Sequence, residues 1–389
     1  MLQKKLLVFL APFCLMATSA YAQTTPTVLY NFSGTGNDAY PTGFFATDKT
    51  SVYGAAGGLT SANGGEIFKV TQTGKFTVLH AYPASQIGKP SGDIVLASAV
   101  VYGARAMNNG ATATPDYGAL WSISTSGSNY KEFYVFPTTG NIYNPGGLIA
   151  SATAGKFYGV AGGGANGGGV LFSVTSGGTL TVLHSFGAKG DGNLKDPGSA
   201  SLTLSSGVLY GTTMYGGTNG TGTVYSYNVS TGAYAVLHSF GASGSGNTDG
   251  YWPTGNVAVS GVLYGTTEFG GSGGEGTLWS IGKTGASFTV LKSYSAGSTG
   301  CQNPTGNVLL SGTSLYVSCT SGGPALDFDS GELDVYNTSS KAETPFLIYG
   351  SSGIPYATNV PLSVSTNFVQ SAGYGAGTNG YGAIVLYAN

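Results

Sequence analysis

The chain has 389 residues, of which 67 are glycine and 15 are proline, a content that excludes a mainly helical fold. Hydrophobic residues make up 41% and aromatic residues 12% of the chain, which is too much for a disordered protein. Only 8% of the residues are charged, the net charge is −2 and the single arginine is Arg105, so the composition argues against a nucleic-acid-binding surface.

The first 22 residues have the three-part pattern of a secretory signal peptide. Lys4 and Lys5 precede an apolar stretch, and Ala20 and Ala22 form an A-x-A cleavage site. We predict cleavage after Ala22, one domain over residues 23–389, and a secreted or periplasmic location. No later segment approaches the roughly 20 apolar residues of a membrane-spanning helix, so we expect a soluble monomer without a membrane span.

A repeat of about 52 residues fills the rest of the chain. The sequence Leu-Tyr-Gly-Thr-Thr at 209–213 recurs at 263–267, and looser copies centre on Tyr53, Tyr102, Tyr158, Tyr316 and Phe368. Neighbouring copies are 49 to 56 residues apart. A period near 50 built from short β-type segments is typical of the blades of a β-propeller.

Each repeat contains four short runs separated by turn residues, named a to d after the copy at 255–260, 262–267, 276–281 and 288–294. A run d at 27–32 precedes the first run a, and the chain ends with runs a, b and c at 361–365, near 368 and at 382–387. These runs predict an all-β, seven-bladed β-propeller with 28 strands, four to a blade. The N-terminal strand would complete the last blade and close the ring, which removes two exposed sheet edges.

The repeat resembles a known family at residues 209–240. Leu-Tyr-Gly-Thr-Thr is followed there by Gly-Gly, Gly-Thr-Val-Tyr-Ser and Val-Leu-His-Ser-Phe, which is similar to the Gloeo/Verruco (GloVer) tandem repeat of secreted bacterial proteins. The resemblance covers nearly all of the chain after the signal peptide and is strongest at 158–294. It implies an exported repeat protein, and it supplies no catalytic residues.

The three histidines occupy one repeat position. His80, His184 and His238 each lie two residues before the aromatic residue of run d. Because run d is predicted to be the outer strand of each blade, these side chains would be spread around the ring. We therefore interpret them as structural rather than as metal ligands or acid–base groups.

The blade at 301–349 departs most from the repeat. Val317 replaces the glycine of run b, and Asp334 replaces the aromatic residue of run c. Cys301 and Cys319 are the two cysteines that remain after removal of the signal peptide, and in an exported chain an even pair favours a disulfide. Two separate thiols are the alternative.

The same blade contains the main acidic cluster. Asp327, Asp329, Glu332 and Asp334 offer hard oxygen ligands at spacings of two or three residues, and such loops bind calcium. Calcium is therefore the one cofactor that the sequence suggests, and a solvated acidic loop is the alternative.

An aromatic pair, Tyr251 and Trp252, precedes run a of the fifth blade. Aromatic residues in loops present flat faces to sugar rings, so this pair is a candidate ligand-binding site. A tryptophan packed between two blades is the alternative.

These observations favour a non-catalytic binding module with a glycan or protein ligand, such as a polysaccharide or a cell-surface protein. A carbohydrate-active enzyme, such as a polysaccharide lyase on a propeller scaffold, is the alternative. The single arginine and the periodic histidines offer no converging catalytic group, and we assign no catalytic residue. A structural component of the cell envelope is a third interpretation.

Overall fold

The computed structural model of the chain describes residues 27–35, 41–57, 64–83, 89–107, 117–194, 201–244, 246–297, 300–306, 308–321, 332–348, 362–364, 367–372 and 382–388. Of residues 42–44, 346–348, 362–364, 367–372 and 387–388 it describes the backbone alone. The predicted signal peptide lies outside the described residues. The described part contains no helix with the length and apolar character needed to cross a membrane.

The described strands form seven antiparallel sheets and one small two-stranded sheet. The first strand of the chain, β1 (Thr27–Asn31), belongs to the last sheet. Sheet 1 contains β2 (Pro41–Thr47), β3 (Ser51–Ala56), β4 (Glu66–Thr71) and β5 (Phe76–Ala81). Sheet 2 contains β6 (Pro90–Ala97), β7 (Val100–Arg105), β8 (Ala119–Ser124) and β9 (Lys131–Val135). Sheet 3 contains β10 (Ile142–Tyr143), β11 (Leu148–Ala150), β12 (Lys156–Gly163), β13 (Val170–Thr175) and β14 (Leu180–Ser185).

In the second half of the chain, β15 (Gly192–Asn193) pairs with β18 (Tyr215–Gly216) as the two-stranded sheet. Sheet 4 contains β16 (Leu202–Ser205), β17 (Val208–Thr213), β19 (Thr223–Asn228) and β20 (Tyr234–Ser239). Sheet 5 contains β21 (Tyr251–Val259), β22 (Val262–Phe269), β23 (Gly274–Gly282) and β24 (Thr289–Ser295). Sheet 6 contains β25 (Gln302–Pro304), β26 (Leu309–Ser311), β27 (Ser314–Ser321), β28 (Glu332–Asn337) and β29 (Glu343–Ile348). Sheet 7 contains β30 (Leu362–Val364), β31 (Asn367–Ala372) and β32 (Ala383–Ala388) together with β1.

Neighbouring strands in each sheet follow the order a, b, c, d of the predicted runs. The all-β prediction is confirmed, and run a differs from it in detail: two short strands form it in sheets 3 and 6, β10 with β11 and β25 with β26. In sheet 7 the d strand comes from the other end of the chain, because β1 pairs with β32 from Thr27 opposite Leu386 to Asn31 opposite Ala383.

An aromatic ring on strand c covers a glycine on strand b in five sheets. Gly265 lies opposite Trp279 in the register, and a Cβ atom at Gly265 would lie 2.7 Å from Cη2 of Trp279 and closer still to Cζ2. The same overlap occurs in the pairs Gly54–Phe68, Gly103–Trp121, Gly159–Phe172 and Gly211–Tyr225. The glycine of Leu-Tyr-Gly therefore provides the space that the ring occupies.

Strand d lies at one edge of each of the seven sheets and carries a β-bulge at one repeat position, which was not predicted from the sequence. In sheet 4, for example, Val224 lies opposite His238 and Tyr225 opposite Val236, so Leu237 is the extra residue. Equivalent residues in the other six sheets are Leu29, Leu79, Phe133, Leu183, Leu291 and Phe346. A bulge interrupts the regular row of backbone N–H and C=O groups along the edge strand. It therefore hinders edge-to-edge pairing of the sheet with another chain.

Each sheet packs against the next through a buried apolar cluster. These clusters join sheets 1 and 2, 2 and 3, 3 and 4, 4 and 5, and 5 and 6. A further cluster joins sheet 7 to sheet 1, with Phe32 and Ile384 against Val52 and Phe68.

The three histidines lie in three different junctions between sheets. Each imidazole stacks on an aromatic ring that begins or immediately precedes strand d of the following sheet: His80 on Tyr130 at 3.6 Å, and His184 on Tyr234 and His238 on Phe288 at 3.8 Å. Two of them also contact a carboxylate, with Nε2 of His184 2.8 Å from Asp191 and Nε2 of His238 3.0 Å from Asp249. This arrangement agrees with a structural role, because each histidine closes its own junction.

Candidate functional site

The aromatic pair, the second cysteine and the first described carboxylate of the candidate sites lie at the same end of their sheets. In an antiparallel sheet of order a, b, c, d, strand a begins where strand b ends, strand c begins and strand d ends. The loops d–a and b–c therefore share one end, which we call the entry end. Tyr251 and Trp252 lie there at the start of β21, Cys319 lies near the end of β27, and Glu332 begins β28.

Four aromatic side chains form a cluster at the entry end of sheets 4 and 5. This aromatic cluster consists of Tyr215, Tyr251, Trp252 and Phe269, all partly exposed. Ring centroids are 5.8 Å apart for Tyr215 and Trp252, 5.5 Å for Trp252 and Phe269, and 5.8 Å for Tyr251 and Phe269. Because Tyr215 lies on β18, between β17 and β19 of sheet 4, and the other three residues lie on sheet 5, the cluster bridges the segments at the entry ends of the two sheets.

Sequence reasoning found Tyr251 and Trp252 but missed Tyr215 and Phe269. Both missed residues lie two positions after the Thr-Thr pair that ends run b, in Thr-Thr-Met-Tyr and Thr-Thr-Glu-Phe. An aromatic residue at this repeat position was therefore the sequence signal that could have identified Tyr215 and Phe269. The structure places Trp252 neither in a loop tip nor fully between two sheets, because its ring is partly exposed and contacts Tyr215 across the junction.

The backbone of Trp252 adopts the left-handed conformation, with φ of 56°. The residue before proline has the same conformation in two other sheets, where it is Asn144 with φ of 51° and Asn303 with φ of 49°. Asparagine tolerates this region well, whereas a bulky aromatic residue there is strained by on the order of 1–3 kcal/mol. Sheet 5 thus carries a tryptophan where the repeat elsewhere accepts asparagine.

One hydrogen bond holds Trp252 in place despite this strain. Its backbone N–H donates to the carbonyl oxygen of Thr221, just before β19 of sheet 4, at 2.9 Å, and the N–H of Asn144 donates in the same way to Tyr117, just before β8 of sheet 2, at 2.7 Å. The bond belongs to the repeat and does not depend on the side chain. The side chain at position 252 can therefore be replaced without loss of this hydrogen bond.

In sheet 6, Cys301 and Cys319 form a disulfide with Cα atoms 5.4 Å apart. Both residues are buried. Cys319 lies opposite Pro304 in the register, so the bond ties the segment before strand a to the end of strand b.

Replacing both cysteines by alanine should lower the free energy of unfolding by about 3 kcal/mol, because the bond closes a loop of 18 residues. Urea titrations of the parent and of the Cys301→Ala/Cys319→Ala variant measure the difference. The mass of the unreduced parent, which must be lower by two hydrogens than that of the reduced chain, checks that the bond has formed. Equal midpoints for the two proteins would contradict a stabilising role.

The described half of the predicted calcium site is buried rather than solvated. Asp327 and Asp329 lie outside the described residues, whereas Glu332 and Asp334 lie on β28 and are 0% and 3% exposed. In the register of β27 and β28, Glu332 lies opposite Cys319 and Asp334 lies opposite Val317, and both of these partners are buried as well. Among the described residues, no group of three or more His, Cys, Asp or Glu side chains is arranged to hold a metal ion.

Three oxygens of this carboxyl pair are buried without a hydrogen-bond partner: both Oε atoms of Glu332 and Oδ1 of Asp334. Nearby, Nζ of Lys292 lies 2.6 Å from Glu343, and the Tyr294 hydroxyl donates to the same carboxylate at 3.1 Å. Burial and the charge of Glu343 raise the pKa of Glu332. Burial and the charges of Glu332 and Glu343 raise the pKa of Asp334.

Comparisons with known proteins bear on the fold and the family. The model of the Gloeobacter/Verrucomicrobia repeat matches residues 106–333. Comparison with curated proteins finds none that matches this chain. Among solved structures, the chain is similar to a puromycin-hydrolysing peptidase of Mycobacterium tuberculosis, with a TM-score of 0.57 and 11% identity. It is also similar to the GH74 enzyme of Niastella koreensis, with a TM-score of 0.51 and 16% identity.

These two likenesses cover 90% and 92% of this chain but 53% of each solved chain, so the chain spans about half the length of either protein. At such identities they show an all-β, propeller-like fold and nothing about activity. The family match covers more than half of the chain and includes residues 209–240, whose pattern first suggested it. That prediction is confirmed, and the chain belongs to the Gloeobacter/Verrucomicrobia repeat family.

Proposed function

We propose that this protein is a secreted, seven-bladed β-propeller that binds a glycan, without catalysis, through the aromatic cluster at its entry end. The closed ring is supported by the seven sheets of the described chain and by the pairing of β1 with β32. It is also supported by the succession of packed junctions that runs from sheet 7 through sheet 1 to sheet 6.

The observation that carries the binding proposal is the strained backbone of Trp252. Natural proteins retain strain and broken local rules mainly where function requires them. The two asparagines at the same repeat position show that the fold itself does not need a tryptophan there. What the tryptophan adds is a partly exposed aromatic surface that continues onto Tyr215 and Phe269.

Aromatic surfaces of this kind suit sugar rings. Tryptophan and tyrosine combine a large apolar face with a polar edge, so they contact the C–H face of a pyranose without losing their own hydrogen bonds to water. Three ring contacts at 5.5–5.8 Å give a continuous surface across two sheets. Such a surface fits successive sugars of a polymer better than a single small molecule.

Replacing Trp252 by asparagine, the residue of the equivalent positions, should separate binding from folding. We expect the variant to be as stable as the parent or more stable by about 1 kcal/mol, because the left-handed strain is relieved. Binding to soluble polysaccharides, measured by affinity electrophoresis and by quenching of tryptophan fluorescence, should weaken at least tenfold.

Tyr143→Ala is the matched control, because Tyr143 is an exposed tyrosine at the repeat position of Tyr251, in sheet 3. It should leave binding unchanged. Unchanged binding in the Trp252→Asn variant would contradict the proposed site. Steady release of products from a bound polysaccharide would contradict the non-catalytic part of the proposal.

A further inference from the structure

One position of strand a lies where neighbouring sheets converge. It is the second residue before the partner of the strand b tyrosine, and in sheets 2 to 5 it is Asp93, Gly147, Ser201 and Asn256. Sheets 2 and 3 are in direct contact here, since a Cβ atom at Gly147 would lie 2.5 Å from Cβ of Asp93. Between sheets 4 and 5, the hydroxyl of Thr203 donates to the carbonyl oxygen of Val257 at 2.7 Å. Strands a therefore pack against one another from sheet to sheet.

Asp93 reaches past sheet 3 to sheet 4. Its carboxyl accepts a hydrogen bond from the hydroxyl of Ser201, which lies just before β16 of sheet 4. Sheet 3 packs between sheets 2 and 4, but its residue at this position is Gly147, where a side chain would occupy the space of Asp93. Asp93 and Ser201 are 9% and 5% exposed. The two side chains therefore meet inside the protein, and Gly147 leaves the space that their contact needs.

No cation of the described residues compensates the charge of Asp93. Burial raises the pKa of its carboxyl to about 7, the hydrogen bond from Ser201 lowers it, and no charged side chain in the described part of the chain shifts it. Its Oδ1 atom is buried and has no hydrogen-bond partner among the described residues. Because a buried carboxylate is costly unless it is paired or protonated, Asp93 needs a further partner at Oδ1.

The hydrogen bond from Ser201 prepares Asp93 for a cation. Since Oδ1 has no partner, this bond goes to Oδ2, where it favours the ionised carboxylate and fixes its orientation. The Ser201 hydroxyl donates its proton and keeps acceptor lone pairs of its own. Two hard oxygens, one of them charged, therefore lie side by side in the interior, and metal ions that prefer oxygen ligands bind such groups.

The charge of this pair of side chains selects the charge of the ion. One carboxylate neutralises a cation of single charge, whereas a divalent ion would leave a net positive charge inside the protein at high cost. The described residues contain no group of three or more His, Cys, Asp or Glu side chains that could hold such an ion. A sodium or potassium ion therefore fits the site better than calcium or magnesium.

We propose that Asp93 and Ser201 form a binding site for a monovalent metal cation where strands a converge. Oδ1 of Asp93 and the hydroxyl oxygen of Ser201 are two of its ligands. The bound ion ties sheet 2 to sheet 4 past Gly147 and thereby stabilises the packing of three successive sheets. The site lies apart from the aromatic cluster in the chain, and the inference does not depend on the proposed function.

The test measures thermal unfolding at about pH 8, where few protons compete for the carboxylate. Tetramethylammonium chloride, whose cation is too large to reach a buried oxygen, is replaced stepwise by sodium or potassium chloride at constant ionic strength. The melting temperature of the parent should rise and saturate with at least one of the two metal ions, because a ligand that binds only the folded state stabilises it. The Asp93→Asn variant keeps the shape without the charge and should need at least tenfold more of that ion.

Ser201→Ala should weaken the response several-fold. Asp48→Asn is the matched control, because it removes an exposed carboxylate of sheet 1, and it should respond like the parent. Crystals of the parent soaked in a thallium(I) salt should show anomalous density beside Oδ1 of Asp93, a result that stands even if neither site variant folds.

Three results would overturn the inference and leave a proton to neutralise Asp93. They are equal melting temperatures of the parent in all three salts, an undiminished response of Asp93→Asn, and the absence of thallium density at Oδ1. A stronger response to calcium than to sodium and potassium, lost in Asp93→Asn, would instead overturn the assignment of a monovalent ion.

Discussion

Replacing Gly265 by alanine is expected to destabilise the protein by about 3 kcal/mol, the upper part of the range for overpacking a core. The added Cβ would lie 2.7 Å from Cη2 of Trp279, whereas two carbon atoms are comfortable at about 3.5–4.0 Å. Trp279 is completely buried between sheets 4 and 5 and has no space to retreat. Alanine is otherwise no worse than glycine in a strand, so the loss measures the overlap alone.

Urea titration followed by circular dichroism measures this effect. Gly261→Ala is the matched control, because a Cβ there would meet nothing within 4 Å, and it should change stability by less than about 0.5 kcal/mol. In a double-mutant cycle, Trp279→Ala should cost about 3–5 kcal/mol by itself but abolish the further loss caused by Gly265→Ala. Additive losses would show that the glycine is not needed to accommodate the ring.

The second large effect is a loss of stability at alkaline pH that comes from Glu332 and Asp334. Both carboxyls have raised pKa values in the folded protein because they are buried next to one another and to Glu343. Folding therefore favours the protonated forms of both carboxyls. Their contribution to the free energy of unfolding is fully present below about pH 4, where the carboxyls are protonated in the unfolded chain as well. It is lost as the pH rises through the folded pKa values, and ionising the buried pair should cost on the order of 3 kcal/mol.

The free energy of unfolding, measured by urea titration from about pH 5 to about pH 9, should fall in the parent. It should fall much less in the Glu332→Gln/Asp334→Asn variant, whose side chains do not ionise. A residual slope is expected below neutrality, because burial also raises the pKa of Asp93 to about 7 despite a hydrogen bond from Ser201. Identical pH profiles for parent and variant would contradict the prediction.

Asp48→Asn is the control, because folding lowers the pKa of Asp48 whereas it raises the pKa values of Glu332 and Asp334. Although burial opposes it, hydrogen bonds from Tyr53, Thr50 and Ser51 lower the pKa of Asp48. Its stabilising contribution is present above about pH 4 and lost at lower pH, so this variant should keep the alkaline slope of the parent.

Calcium added at about pH 9 distinguishes a proton from a metal ion as the group that neutralises the pair. A ligand that binds only the folded state stabilises it. Stabilisation of the parent but not of the Glu332→Gln/Asp334→Asn variant would support the calcium site predicted from Asp327, Asp329, Glu332 and Asp334. No effect of calcium on either protein would leave protonation as the explanation.

Much of the fold could be predicted because its signals are local. Turn residues, alternating short runs and a recurring Leu-Tyr-Gly lie within one repeat, so counting repeats gave the order of strands that the sheets show. The bulge at Leu237 and its equivalents escaped notice. Val-Leu-His reads as an ordinary strand until its register with the neighbouring strand is known, and there Val224 meets His238 while Tyr225 meets Val236.

The candidate site could be predicted only in part for the same reason. Tyr251 and Trp252 are adjacent in the chain and visible as a pair, but Tyr215 belongs to another sheet and reaches Trp252 across a junction. The strain at Trp252 likewise appears only as a backbone angle. Conversely, Glu332 and Asp334 look like part of a solvated loop until strand pairing places them inside the protein.

The sequence by itself determined that this protein is an all-β repeat protein with four strands in each repeat, and that the sixth repeat is irregular. Periodicity along the chain carries that information. Only the tertiary structure decided that an aromatic ring fills the space above each Leu-Tyr-Gly glycine, that four aromatic residues from two sheets form one surface, and that two carboxyls are buried together. Those contacts join residues of different strands and repeats, so they depend on register and on the packing of one sheet against the next.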